Sequence, residues 1–153
     1  WDYHHGNSTE YFFYDDPTVL FFSSHDQFAY PGTGSPLKKG KGKGLGFNVN
    51  VHLPCNTNDS DIVNAYRKFL LPKVEDFKPE FVLLSAGFDS RINDLLGCYE
   101  ITDRGFSQLT RMMLDISNKH CNGRLLSILE GGYNLDGNAS GALAHIKELN
   151  KLI

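Results

Sequence analysis

The sequence predicts one α/β domain built on a parallel sheet, because strand-like and helix-like segments alternate along its 153 residues. Residues 18–23 and 81–85 are continuous apolar runs of strand length, which is typical of strands buried on both faces. Residues 45–51 and 124–129 are the other two predicted strands. A chain of this length has enough material for one core.

The predicted helices lie before, between and after these strands. A short helix follows Asn7 and ends at the turn that Asp16 and Pro17 form. Further along, apolar residues recur at the spacing of a helix face. These segments are residues 59–69, 72–78, 102–116 and 142–152.

The longest predicted loop, residues 24–44, contains a Lys/Gly tract at residues 38–44. A phosphate-binding loop is one interpretation of such a tract. It lacks the spacing of a Walker motif, and no helix pattern follows it. A solvated turn is therefore the better interpretation.

Composition excludes some classes of function. The formal net charge of −3 gives no overall attraction for nucleic acid or acidic lipid. No apolar run is long enough to cross a bilayer, and no secretion signal is visible. The three cysteines, Cys55, Cys98 and Cys121, are widely spaced and odd in number. We expect free thiols and a cytoplasmic location.

Candidate metal ligands follow the ends of the predicted strands. Asp2 and His4 lie two residues apart, so on an extended segment they point to the same side and can share one metal ion. Acidic residues also follow the strand that ends near residue 85, and Tyr133 follows the last strand. The carboxyl ends of parallel strands meet at one edge of a sheet, so these side chains can converge there. By itself an Asp-x-His pair is weak evidence, because such pairs arise by chance in many chains, and a structural hydrogen bond at a strand end is the alternative.

Four motifs in order resemble the zinc-dependent histone deacetylase family, which includes bacterial acetoin-utilisation proteins and acetylpolyamine amidohydrolases. They are Asp-Tyr-His-His-Gly-Asn, Tyr-Pro-Gly-Thr-Gly, Ser-Ala-Gly-Phe-Asp and Leu-Glu-Gly-Gly-Tyr, at residues 2–7, 30–34, 85–89 and 129–133. The last motif has a glutamate at position 130, and in this it resembles the class II branch of the family more than class I. The resemblance implies an arginase/deacetylase-like three-layer fold with a central parallel sheet, incomplete at its N-terminal side. Residues 1–153 would be the C-terminal part of a deacetylase domain.

The resemblance also implies the site residues. Zinc would be held by Asp2, His4 and Asp94. Tyr133 would donate a hydrogen bond to the substrate carbonyl, and Asn7 would orient a catalytic histidine. The implied activity is removal of acetyl or other acyl groups from lysine side chains or small amines.

A potassium ion and a substrate tunnel are implied in the same way. Potassium would be held by the main-chain carbonyls of Asp2 and His4, the Ser23 hydroxyl and the Ser24 carbonyl. Tyr30 would form a wall of the acyl-lysine tunnel. Leu96 stands where polyamine-specific members carry a glutamate, and an apolar residue there favours acyl-lysine.

The sequence departs from the family pattern at the catalytic base. The family's adjacent histidine pair and the aspartate that precedes the position of Trp1 are absent from residues 1–153. His5 is not a substitute for the missing pair, because it neighbours the proposed ligand His4 on an extended segment and should face the other way. We therefore expect an inactive isolated chain that requires an N-terminal portion or a complementary chain.

Other interpretations stay open or are weaker. A non-catalytic module that binds zinc, acylated ligands or a partner is the alternative function. An arginase-like dimanganese hydrolase shares the fold, but residues 5–7 supply no extra aspartate ligand. We expect Asp89 and His25 to be structural or to support the site, and Arg91 to lie at its rim. His52, His120 and His145 show no partner pattern.

Overall fold

The computed structural model describes residues 1–152 and contains the predicted alternation of strands and helices. A 3₁₀ helix spans Gly42–Gly44, a π-helical turn spans Tyr66–Leu70, and a last 3₁₀ turn spans Asn150–Leu152. The strands are β1 (Phe21–His25), β2 (Asn48–His52), β3 (Val82–Ala86) and β4 (Leu125–Leu129). The helices are α1 (Asn7–Phe12), α2 (Asp59–Ala65), α3 (Leu71–Phe77), α4 (Asp103–His120) and α5 (Leu135–Leu149).

The strands form two parallel ladders joined by the first residues of the chain. Phe21 of β1 lies opposite Asn48 of β2, and Val82 of β3 lies opposite Leu125 of β4. The N-terminal amine of Trp1 donates to the Ser85 carbonyl at 3.3 Å, and Asp26 N–H donates to the Tyr3 carbonyl at 3.2 Å. Residues 1–4, which include Asp2 and His4, thus lie between the two ladders.

The β3–β4 ladder is buried on one face, whereas its sequence predicted strands buried on both. Leu84 and Ala86 of β3 point into the core. The alternate residues are exposed, with Leu83 at 71% and its partner in the ladder, Leu126, at 49%. The reason is that α4 and α5 cover one side of this ladder, and no element within residues 1–152 covers the other.

Helix boundaries differ from the sequence prediction where capping decides them. Helix α5 starts at Leu135, earlier than predicted, because the Asn134 side chain accepts Gly137 N–H at 3.0 Å. Its first turns are rich in glycine and polar residues, so apolar spacing could not show them. Helix α2 begins at the predicted place, where Asn58 and Asp61 form a capping box.

The expectation of free cysteines is wrong for two of the three. Cys55 and Cys98 form a disulfide across 43 residues of sequence, and Cys121 is a buried free thiol. Sequence spacing does not reveal that two loops meet in space, and the odd count concealed the pair. The disulfide also removes the basis for the predicted cytoplasmic location, which stays a prediction.

Two further sequence interpretations can be placed. The Lys/Gly tract is a turn, since Lys41 N–H donates to the Tyr14 carbonyl at 3.0 Å and strand β2 follows it. Among the described helices, none combines the length and the apolar character needed to cross a membrane.

Candidate metal centre

The predicted ligands at the start of the chain meet a third acidic side chain, Asp89, which follows β3. One ligand atom from each of Asp2, His4 and Asp89 lies within 4.8 Å of the other two. His4 Nδ1 is 3.2 Å from Asp2 Oδ1 and 2.9 Å from Asp89 Oδ2. Two carboxylates and one imidazole are a donor set that zinc accepts, so this cluster fits that ion.

Backbone N–H groups fix the carboxylates of this cluster. Asp2 accepts His4 N–H at 2.7 Å through Oδ1 and Gly131 N–H at 3.1 Å through Oδ2. Asp89 Oδ1 accepts Tyr3 N–H at 2.8 Å, and the Asp89 side chain is fully buried. The donor atoms are therefore oriented by the fold itself.

Glycines allow the strand ends to approach these carboxylates. A Cβ atom at Gly87 would collide with the Asp2 carboxylate, and one at Gly131 would collide with the Asp89 carboxylate. Each glycine belongs to one of the motifs in the sequence. Their role here is space for the side chain opposite.

The ionisation of the cluster follows from its geometry. Hydrogen bonds to Asp2 and Asp89 raise the pKa of His4 to about 10. Burial raises the pKa of Asp89, and the nearby charge of Asp2 raises it further. Burial acts in the same direction on Asp2, but hydrogen bonds from His4 and Gly131 hold its pKa below the ordinary value. A divalent cation would take the place of the proton on His4.

Asp94, the predicted third zinc ligand, accepts four backbone N–H groups. Oδ1 accepts Leu96 N–H at 2.9 Å and Gly97 N–H at 3.2 Å. Oδ2 accepts Tyr133 N–H at 2.8 Å and Asn134 N–H at 3.1 Å. Asp94 is not one of the three residues in the cluster described above. Its ligation of zinc stays a prediction.

Tyr133 stands beside the cluster, in the loop after β4. Its ring centroid is 6.4 Å from that of His4, and the rings meet edge to face. Partial burial and the negative charges of Asp89, Asp2 and Asp94 raise the pKa of Tyr133. The phenol therefore stays protonated at neutral pH and can donate a hydrogen bond.

A cavity of about 660 Å³ opens next to His4. Its volume is in the range of small-molecule sites in proteins. The predicted substrate residues Tyr30 and Leu96 both line it, and they are 80% and 60% exposed. The structure thus brings these two residues and one predicted zinc ligand to the same cavity.

The remaining predicted site residues lie on α1 and β1. Asn7 is exposed at the first position of α1. Ser23 and Ser24 are buried in β1, where Ser23 Oγ is 3.0 Å from His25 Nδ1 and Ser24 Oγ donates to Tyr66 Oη at 3.4 Å. The roles of these residues stay predictions.

Most of the other histidines form hydrogen bonds with residues outside the cluster. His5 Nδ1 is 2.7 Å from Thr33 Oγ1, and His145 lies between Thr110 and Ser127 at 2.7 and 2.8 Å. His52 differs, because it lines the cavity and its buried Nε2 has no hydrogen-bond partner.

Sequence reasoning missed three features of this region. Asp89 belongs to the cluster itself, although we expected only a supporting role. Its motif placed it after a strand but could not show which way its side chain points. His52 and the disulfide at the cavity had no signal in the sequence.

Comparison with known proteins adds a family to this geometry. A model of the histone deacetylase domain matches residues 1–149. A probable deacetylase of Archaeoglobus fulgidus is 42% identical over 137 residues, which are 90% of this chain and 38% of that protein. Histone deacetylase 15 of Arabidopsis thaliana is 42% identical over 153 residues, which are 97% of this chain and 27% of that protein.

Solved structures show the same likeness. The HD domain of HDA15 superposes with a TM-score of 0.91 at 42% identity, over 97% of this chain and 42% of that one. The histone deacetylase Clr3 superposes with a TM-score of 0.90 at 37% identity, over 97% of this chain and 25% of that one. The chain therefore spans well under half the length of these relatives.

Proposed function

The chain belongs to the histone deacetylase family, and from this premise we propose that it carries the zinc-binding part of an amidohydrolase site. The substrate class is acylated lysine side chains or small acylated amines. The observation that carries the proposal is the cluster of Asp2, His4 and Asp89. Tyr133 lies against His4, and Tyr30 and Leu96 line the cavity next to it.

Each side chain has a chemical role in this proposal. We assign zinc to Asp2, His4 and Asp89, whose ligand atoms lie within 4.8 Å of one another. Asp94, the third ligand expected from the sequence, would instead hold its loop in place through the backbone N–H groups that it accepts. When bound, zinc would act as a Lewis acid toward an amide carbonyl and lower the pKa of water. Tyr133 would donate a hydrogen bond to the carbonyl oxygen as negative charge develops on it.

Two supporting roles complete the assignment. The Ser23 hydroxyl, the Ser24 carbonyl and the main-chain carbonyls of Asp2 and His4 would hold a potassium ion. This potassium site would lie close to the first residues of the chain. Tyr30 and Leu96 would contact the acyl-lysine stem, for which an exposed aromatic wall and an apolar side chain are suitable partners.

Few of the described residues could act as the general base of this reaction. Within residues 1–152, the imidazoles that line the cavity are His4 and His52. His4 would be a metal ligand, and the Nε2 atom of His52 is buried without a hydrogen-bond partner, so that atom is not open to a bound water. We propose that residues 1–153 by themselves bind zinc and ligand but hydrolyse amides poorly. A non-catalytic module that binds acylated ligands is the alternative function, and the same observation favours it.

Additional polypeptide would complete the domain. The exposed face of β3 and β4 carries the apolar side chains of Leu83, Leu126 and Ile128. The relatives are much longer than this chain. We propose that an N-terminal portion of the same protein or a complementary chain covers this face. We also propose the cytoplasmic location that the sequence predicts.

Zinc binding by equilibrium dialysis tests the ligand assignment. We expect one zinc per chain, and Asp89→Asn should weaken zinc binding by more than about 100-fold, because it removes a proposed ligand. Asp94→Asn, the matched control, should weaken it by less than about tenfold, because it changes only the support of a loop. The reverse order would transfer the third ligand position to Asp94, and no zinc binding by the parent chain would refute the proposal.

Turnover of an acetyl-lysine peptide tests the reaction. We expect saturable binding of the peptide by the zinc-loaded chain, with little product. Ordinary turnover would show that residues 1–153 contain a competent base. Binding without turnover, even in the presence of the rest of the domain, would favour the non-catalytic module.

A further inference from the structure

The disulfide between Cys55 and Cys98 joins two loops at the cavity. Cys55 follows β2 and is exposed, and Cys98 lies half-buried before α4. The same loops are also joined by backbone hydrogen bonds. Asn56 N–H donates to the Cys98 carbonyl at 2.8 Å, and Glu100 N–H donates to the Thr57 carbonyl at 2.8 Å. The two sulfur atoms therefore stay close when the bond between them is open.

The disulfide is continuous with the proposed site. Cys55 lines the same cavity as Leu96. The loop that ends at Cys98 contains Leu96 and Gly97, whose N–H groups donate to Asp94. Closing the disulfide therefore fixes the far end of the loop that carries Asp94 and the proposed substrate contact Leu96.

A buried carboxylate faces both sulfur atoms. Asp26 Oδ2 is 3.7 Å from Cys55 Sγ and 3.5 Å from Cys98 Sγ. It also accepts the Tyr3 hydroxyl at 2.8 Å. In the dithiol form the two S–H groups have this carboxylate as an acceptor. In the disulfide form its charge repels a thiolate that approaches either sulfur. Cys55 is the sulfur open to exchange because it is the exposed one.

We propose that Cys55 and Cys98 are a reversible redox site whose oxidant is a low-molecular-weight disulfide, such as glutathione disulfide. The Cys55 thiol loses its proton and attacks one sulfur of glutathione disulfide, which releases one glutathione. The Cys98 thiol then loses its proton and attacks the mixed disulfide at Cys55, which releases the second glutathione. Two protein thiols are oxidised, one small disulfide is reduced, and the two glutathiones take up the protons.

The chemistry of the cysteine pair is independent of the proposed function. Closure of the disulfide would also fix the loop at Asp94 and Leu96 and so regulate ligand binding in the cavity. This second part rests on the proposed function. The two parts are therefore tested by different measurements.

Alkylation of the 153-residue chain tests the redox site. The protein is equilibrated in mixtures of glutathione and glutathione disulfide, quenched with acid, and alkylated in denaturant before peptide mass analysis. We expect a linked Cys55–Cys98 peptide whose fraction rises with oxidant, while Cys121 is alkylated throughout. Cys121→Ser should behave like the parent chain, and Asp26→Asn should be reduced faster by glutathione.

Three outcomes would overturn the redox site. They are three alkylated cysteines in every mixture, a glutathione adduct that never resolves, or bridges that contain Cys121. Thiols of the native chain that react, without acid or denaturant, only after a chelator is added would instead assign Asp26, Cys55 and Cys98 to a metal ion, for which their atoms lie within 4.8 Å of one another.

Hydrogen exchange tests the link to the loop without any activity assay. In the oxidised chain, the Leu96 and Gly97 amides should exchange about tenfold or more slowly than in the reduced chain. The Ile62 amide in α2 should be unchanged. Cys98→Ser should exchange like the reduced chain in both conditions. Equal exchange in the two redox states of the parent chain would refute the link and leave the cysteine chemistry standing.

Discussion

At the scale of single residues, the site depends on how closely carboxylates pack against glycine backbone. Asp2 and Asp89 both receive backbone N–H groups, and both lie where a side chain on the facing glycine would collide with them. The spacing of Asp2 and His4 predicts that they share one side of the chain. Their hydrogen bond through Asp2 Oδ1 agrees with that placement.

Gly131→Ala should damage the metal centre. The added Cβ would force the Asp89 carboxylate to move, and overpacking of this kind costs about 1–3 kcal/mol of folding free energy. Zinc binding should weaken at least about tenfold, because Asp89 is one of the proposed ligands. Urea unfolding and equilibrium dialysis measure the two effects.

Gly137→Ala in α5 is the matched control, because the nearest atoms to its Cβ would be 3.4 Å away. It should leave zinc binding unchanged and alter stability by less than about 1 kcal/mol. Equal zinc affinity in the Gly131→Ala variant would show that the close approach is not needed for the site.

At the scale of elements, the β3–β4 ladder shows what its sequence alone left ambiguous. Residues 81–85 have the composition of a strand covered on both faces. Only one face is buried in the described structure, and Leu83 and Leu126 lie side by side on the other. The composition thus agrees with a second covering layer that residues 1–152 do not supply.

Leu83→Lys combined with Leu126→Lys should suppress self-association of the chain. Exposed apolar patches of this kind drive association at micromolar concentration, whereas lysine keeps the face solvated. Sedimentation velocity of the parent chain should show concentration-dependent oligomers that the double variant lacks. Leu37→Lys, at another residue with 87% exposure, should leave the oligomers unchanged. A parent chain that stays monomeric would contradict the expectation.

At the scale of the whole molecule, buried histidines make the fold sensitive to acid. Burial lowers the pKa of His25 and of His145 to about 4, from 6.5. His145 is held between Thr110 and Ser127, which connects α4, α5 and β4. Both histidines are therefore neutral in the folded chain at pH values where the unfolded chain binds protons.

Folding stability should fall as the pH drops from about 6.5 toward 4. The unfolded state takes up the protons first, so each histidine contributes a slope of about 1.4 kcal/mol per pH unit in the middle of this window. The stability is present above pH 6.5 and is lost as the pH approaches the folded-state value. Urea unfolding at several pH values gives the free energy of unfolding as a function of pH. This dependence should be less steep for His145→Gln than for the parent chain, and an equally steep dependence would contradict a contribution from His145.

The sequence by itself determined the order of the elements and the identity of most candidate side chains. Strand-length apolar runs and helical spacing have a local cause in backbone geometry, so β1 to β4, α2 and α4 were predicted close to their observed positions. The motifs around Asp2, Asp89 and Tyr133 placed these residues after strand ends, where parallel sheets gather them.

The tertiary structure alone decided what depends on contacts between distant segments. It brought Asp89 rather than Asp94 to His4, paired Cys55 with Cys98, and left one face of β3 and β4 exposed. The physical reason is that side-chain direction, sulfur–sulfur distance and burial are set by packing between segments far apart in sequence. Local periodicity and composition contain no record of that packing.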